Sequence, residues 1–171
     1  MQGRVLIVDD DQSLCETMEA ALRRAGFQAS WKSSADEALS TLDHQDFDVV
    51  VTDLNMRSMN GLALCERIAA NRPDVPVVVV TAFGSMETAV QAIRAGAYDF
   101  INKPFEVEEL KLTLEHAIQH RELREEVKRL RLEVGRGVAG NEIIGSSPAM
   151  RKVWDLIDRV ASTDATVLVT G

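Results

Sequence analysis

The apolar run Val5–Val8 leads straight into three aspartates, Asp9, Asp10 and Asp11. Like charges at such range repel by roughly 4 kcal/mol per pair at 4 Å in an effective dielectric of 20, so this strand end calls for a positive partner. A second apolar run, Val49–Val51, ends near Asp53, and a third, Val77–Val80, ends at Thr81. Lys103 follows a further run through Phe100 and stands just before Pro104. Brought to one rim, three carboxylates, a hydroxyl and an ammonium define a chemistry. Converging carboxylates of Asp9, Asp10 and Asp53 call for a hard cation, and Mg2+ takes oxygen ligands octahedrally. An aspartate beside Mg2+ and a lysine is equipped to attack phosphorus. The metal and Lys103 would neutralise charge on the transferring phosphoryl group, and Thr81 would donate a hydrogen bond to one of its oxygens. Taken singly, each residue has a plainer reading. Asp11 serves as a helix cap, a lysine before proline as a solvated loop residue, and a strand-closing threonine as a β-former. Only their joint position at one end of one sheet favours the chemistry.

The elements that must position them alternate. RVLIV reads as a buried strand, and Ser13 with Glu16 as a capping box opening a helix that Gly26 ends. FQASW is a short strand, and Ser34 with Glu37 opens a helix through Leu42. FDVVVTD is the third strand, GLALCERIAAN a helix stopping before Pro73, and VPVVVVTA the most apolar strand. Ser85 caps a helix that Gly96 closes, AYDFIN is a fifth strand, and a long helix starts near Glu106. Continuous apolar strands alternating with helices mean a parallel sheet covered on both faces. The expected fold is α/β: a flavodoxin-like, doubly wound five-stranded sheet in the order 2-1-3-4-5, with its working groups at the strands' carboxyl ends.

Beyond residue 118 the pattern changes. Leu123, Val127, Leu130 and Val134 fall at alternating spacings of 4 and 3 among dense charges, an a/d seam. Leu110, Leu114 and Ile118 fit a helix covering its own sheet, and the step from Ile118 to Leu123 breaks their register, so one helix changes from covering the sheet to pairing with a partner helix. A solvated helical extension is the plainer alternative. GRGVAG (Gly135–Gly140) reads as a flexible break. An amphipathic helix with Met150, Val153, Ile157 and Val160 on one face follows, then a strand TVLVT.

The 171 residues carry a net charge of −8, which argues against gripping nucleic acid by bulk charge. Cys15 and Cys65 fit no disulfide framework or CxxC spacing and read as small core residues in a reducing cytoplasm. The opening residues read as a strand rather than a secretion signal, and no apolar run reaches membrane-spanning length. His116 and His120 lie i, i+4 on one helix face, but without a third ligand nearby a solvated face is the better reading. Trp31 and Trp154 read as packing residues.

VLIVDDD, VVVTDLNM…NG, VVVVTAFG and YDFINKPF together resemble the receiver domain of two-component response regulators, over residues 1 to about 120. The resemblance implies that Asp53 accepts a phosphoryl group from a sensor histidine kinase. It implies Mg2+ held by Asp9 or Asp10, by Asp53 and by the backbone carbonyl of Asn55, with Lys103 bonding the phosphoryl group. Thr81 and Phe100 would be the switch pair, and the Lys103–Pro104 bond is commonly cis in such domains. Receivers usually have proline where this chain has Arg57. That departure implies a more mobile loop, a charge near the site, or merely a tolerated exposed substitution.

IIGSSPAMRKVWDLIDRVASTDATVLVTG resembles the opening of the AAA+ domain of NtrC-like, sigma-54-dependent transcriptional activators. Gly171 matches the first glycine of the Walker A loop, whose remaining residues the sequence does not contain, so no ATP binding by that route is expected of it. The expected organisation is a receiver (1–118), a helical coiled-coil linker (119–138) and an AAA+ N-terminal fragment (139–171). The implied role is a phosphorylation-dependent signalling switch rather than an enzyme. It would be a cytoplasmic homodimer through the fourth helix, fifth strand, fifth helix and linker. In the full-length class the receiver dimer controls an ATPase that engages ATP, sigma-54 RNA polymerase and DNA, with no membrane partner. A fifth helix continuous with the seam favours repression relieved by phosphorylation.

Two rivals make different demands. A small Asp-nucleophile Mg2+ phosphatase of the haloacid-dehalogenase kind would carry its nucleophile at the end of the first strand in a D-x-D arrangement, whereas here Asp9 and Asp10 are adjacent within a run of three and the single Asp of VVVTDLN, Asp53, ends the third strand. A flavodoxin-like FMN carrier would need a phosphate loop where the aspartates stand.

Overall fold

The computed structural model describes residues 3–57, 59–82, 84–139 and 147–160. The strands are β1 (Arg4–Val8), β2 (Gln28–Lys32), β3 (Val49–Asp53), β4 (Val77–Thr81) and β5 (Asp99–Asn102). The helices are α1 (Gln12–Arg24), α2 (Ala35–His44), α3 (Gly61–Asn71), α4 (Met86–Arg94), α5 (Val107–Ala139) and α6 (Pro148–Val160). The strands form one sheet in the order β2-β1-β3-β4-β5, every pair parallel, as the apolar runs require. The chain divides into two compact units, Met1–Arg129 and Leu130–Gly171.

Strand periodicity sorts the first unit's core. Leu6, Val8, Val50, Val77 and Val79 face one side with Ala38, Leu64, Ile68 and Ala92 of α2, α3 and α4. Val5, Ile7, Val49, Val51, Val78, Val80 and Ile101 face the other with Leu22 of α1 and Leu110, Leu114 and Ile118 of α5. β3 and β4 are buried along their whole length. Each such Val or Leu contributes about 1.5–3 kcal/mol from its apolar area. Trp31 packs at the edge of the second cluster, and Cys15 and Cys65 are buried free thiols. The side chain of Trp154 lies outside the described residues.

The helix signals hold with two corrections. α1 begins at Gln12, and its N-cap is Asp11, whose side chain accepts from the Leu14 backbone N–H. Ser13 lies inside the helix, because Asp11 supplies a capping oxygen as soon as the chain leaves β1. Ser34 and Ser85 cap α2 and α4. Gly26 and Gly96, at φ +97° and +95°, take the left-handed turn after α1 and α4. α5 runs on to Ala139, through Gly135 and Gly137, where the sequence reads as a break. Each helical glycine costs only about 1 kcal/mol relative to alanine. Ser147 Oγ accepts from Met150 N–H and Pro148 opens α6, a favoured first helical position. The expected TVLVT strand and Gly171 lie outside the described residues.

Candidate functional site

Sheet register brings the site together. Val8 pairs with Thr52, so the residues that follow, Asp9 and Asp53, stand side by side. Asp53 pairs with Val80 and Thr81 with Asn102, which places Thr81 and Lys103 on the same rim. Strand parity continues Val5–Ile7 to Asp9, Val49–Val51 to Asp53 and Ile101 to Lys103, all on the α1/α5 side. Val79 pairs with Phe100, and Thr81 lies two residues beyond Val79. Thr81 and Phe100 therefore share the other side, where Phe100 packs against the α2–α4 core. The Lys103–Pro104 peptide is cis.

Asp9, Asp53 and Thr81 are buried, Lys103 half-buried. Lys103 Nζ donates to Asp9 Oδ2 at 2.9 Å and to Asp53 Oδ1 at 2.6 Å. The other oxygens are held by backbone: Asp9 Oδ1 accepts from Asp11 N–H at 2.9 Å and Asp53 Oδ2 from Asn55 N–H at 2.7 Å. Burial acts against the ammonium and is the largest single influence on it. The hydrogen bonds to Asp53 and Asp9 more than offset that, holding Lys103 above lysine's ordinary value. Beneath the site, Cys15 Sγ donates to the Asp9 carbonyl at 3.4 Å, and burial, with Asp9 nearby, pushes its thiol up to about 12. Cys15 is therefore a packed thiol and not a nucleophile.

Asp10 is part-exposed, and Arg57 Nε from the β3–α3 loop lies 3.3 Å from its Oδ2. The sequence gives the charge of Arg57 but not this partner. It also gives no role to Gly61, although the Asn60–Gly61 dipeptide marks the turn. A β-carbon on Gly61 would collide with the Asp53 carbonyl oxygen, and Gly61 N–H donates to Leu54 O at 2.9 Å. The start of α3 thus lies directly on the Asp53 backbone.

Among the described residues no three His, Cys, Asp or Glu side chains are arranged to hold a metal ion. Lys103 stands between Asp9 and Asp53, and Arg57 against Asp10. The donor set still suits a hard cation. Each oxygen of Asp9 and Asp53 carries one of the hydrogen bonds described, about half of its acceptor capacity. Three carboxylates outnumber one ammonium and one exposed guanidinium. His116 and His120 are both exposed, and the His120 ring lies 5.2 Å from that of Tyr98. Among the described residues no helix is long and apolar enough to cross a membrane.

The family profile of the response regulator receiver domain matches residues 5–115. The chain is similar to the transcriptional regulatory protein ZraR of Salmonella typhimurium, with 40% identity over 168 residues, 98% of this chain and 37% of that protein. It is also similar to the C4-dicarboxylate transport transcriptional regulatory protein DctD of Rhizobium meliloti, with 40% identity over 167 residues, 98% of this chain and 36% of that protein. The chain thus spans little more than a third of the length of these curated relatives. Among solved structures, NtrX from Brucella abortus in complex with ATP matches with a TM-score of 0.74 and 35% identity, over 95% of this chain and 35% of that one. The beryllofluoride-activated NtrC4 receiver domain dimer matches with a TM-score of 0.66 and 38% identity, over 69% of this chain and 98% of that one.

Proposed function

The chain belongs to the response regulator receiver domain family, and from that premise we propose that Asp53 is the phosphoacceptor of a two-component switch related to the sigma-54 activators. The observation that carries this reading is the Lys103 ammonium bridging the buried carboxylates of Asp9 and Asp53. An Asp53 oxygen attacks the phosphorus of a histidine kinase's phosphohistidine. The new O–P bond forms as the P–N bond breaks, and the imidazole nitrogen keeps the electron pair. Lys103, already within reach of Asp53, exchanges a carboxylate partner for a phosphoryl oxygen and offsets its charge. The Asn55 N–H holds the other Asp53 oxygen in place. Asp9, Asp10, Asp53 and the Asn55 carbonyl are the groups that would hold Mg2+, which supplies charge neutralisation at the phosphoryl oxygens.

Thr81 and Phe100, on one face of neighbouring strands, would relay the change to α4, β5 and α5. Phosphorylation shifts an equilibrium between two receiver conformations. Residues 1–118 act as the receiver, 119–138 as the linker to a partner helix, and 139–171 as the start of an AAA+ domain, with Gly171 the first Walker A glycine. In the full-length protein the dimer would control an ATPase acting on sigma-54 RNA polymerase at DNA, in the cytoplasm. The test is incorporation of label from acetyl phosphate with Mg2+. The wild type takes up label and Asp53→Ala takes up none; equal labelling of the two overturns the assignment.

A further inference from the structure

Resting on that reading of the acid site, we propose that Arg57 is a tethered counterion that competes with the divalent cation for Asp10. Two protein cations already sit on the three carboxylates. Lys103 engages Asp9 and Asp53 from within the sheet. Arg57 reaches Asp10 from the opposite loop, Nε to Oδ2 at 3.3 Å. The two cations differ in how firmly they are held. Lys103 is half-buried and makes two short hydrogen bonds, whereas the Arg57 side chain is 94% exposed and makes this one ion pair among the described residues.

Arg57 is therefore the cation that yields. A metal ion entering at Asp10 must displace the guanidinium or accept its charge nearby, and either weakens binding. A proline at this position, as receivers usually have, brings no such charge. Because the pair is exposed, its effect is bounded: such pairs bias an equilibrium by about fivefold at most, and salt screens them. Arg57 is a positioning residue acting through Asp10, and it sets the metal concentration at which the switch becomes competent.

The test is titration of MgCl2 into the metal-free full chain by isothermal calorimetry, at low and at high salt. Arg57→Met keeps the side-chain length, removes the charge, and should bind Mg2+ about two- to fivefold tighter at low salt, with the gain shrinking at high salt. Arg57→Lys should stay near wild type. In an Asp10→Asn background, which weakens metal binding by itself, Arg57→Met should bring no gain. Equal or weaker Mg2+ affinity in Arg57→Met overturns the competition while leaving the metal site standing, and so does a gain that survives Asp10→Asn. Absence of Mg2+ uptake by every chain overturns the site reading as well.

Discussion

The two ends of the sheet carry ion clusters of the same make-up and opposite use. At the carboxyl end, Asp9, Asp10 and Asp53 meet Lys103 and Arg57. At the amino end, Asp46, Asp48 and Asp74 meet Arg72 and Arg121. Acids outnumber the two cations in each cluster, three at the carboxyl end and four at the amino end once Glu125 beside Arg121 is included, so an excess of acid does not distinguish them. Burial does. The Asp46 and Asp74 side chains are 67% and 36% exposed, those of Asp9 and Asp53 only 6% and 9%. Water screens the surplus acid at the amino end. At the carboxyl end it screens the part-exposed Asp10 and Arg57 but not the buried Asp9 and Asp53, and on the proposed function that buried surplus would favour a cation and the chemistry a cation permits. The donors differ accordingly. Arg121 donates to the Phe47 carbonyl and to Asp48 and Asp74, with Nε 3.2 Å from Glu125 in an ion pair that is not a hydrogen bond. Such a guanidinium fork staples α5 to the sheet, whereas a lone ammonium can change partners.

The largest test of this contrast is Lys103→Met. It leaves two buried carboxylates facing each other, and removing one partner from a buried pair costs about 3 kcal/mol. Urea unfolding without metal should show that loss, Mg2+ should restore part of it, and labelling from acetyl phosphate should drop sharply. An unchanged urea midpoint without metal would mean that Lys103 is not what offsets the acids.

Arg121→Met comes next. Three hydrogen bonds made by a charged group are lost from a side chain only 12% exposed, for about 2 kcal/mol. Mg2+ should recover none of it, because this cluster plays no part in holding metal. Acetyl phosphate labelling of the folded variant should match wild type. A loss of labelling as large as that of Lys103→Met would erase the distinction between the two ends.

The two ends were not equally legible. The carboxyl end could be read because continuous apolar runs stop abruptly at polar or charged residues, and strand order then brings Asp9 beside Asp53. The amino-end network has no such signature: Asp74 and Arg121 are 47 residues apart, in segments that read as a loop and a plain helix. Its one trace was the broken register between Ile118 and Leu123. The structure places Arg121 inside that break, with Leu114, Ala117 and Ile118 buried before it and Leu123, Val127 and Leu130 exposed after it. Ser13 misled because Ser-x-x-Glu is a sound capping pattern, whereas the cap reading of Asp11, two residues earlier, is the one the structure bears out. The Arg57–Asp10 contact depends on the placement of an exposed side chain, which neither spacing nor periodicity determines.

The smallest test separates the clusters by pH. The Asp74 carboxyl is held below the ordinary 3.8 chiefly by its hydrogen bond from Arg72, against the opposing effect of burial. A carboxyl depressed by folding contributes stability that is fully present above 3.8 and is lost as pH falls through the folded value. About a third of the side chain is exposed, so solvent screening limits the contribution to about 0.5 kcal/mol. Asp74→Asn should therefore be slightly less stable than wild type in urea at neutral pH, and the gap should close as the pH falls below 3.8. Added salt should narrow the neutral-pH gap, because this end of the sheet is wet. The neutral-pH loss caused by Lys103→Met should be much less sensitive to salt, because burial shields it. Equal salt sensitivity at both ends would show that burial is not what sets them apart.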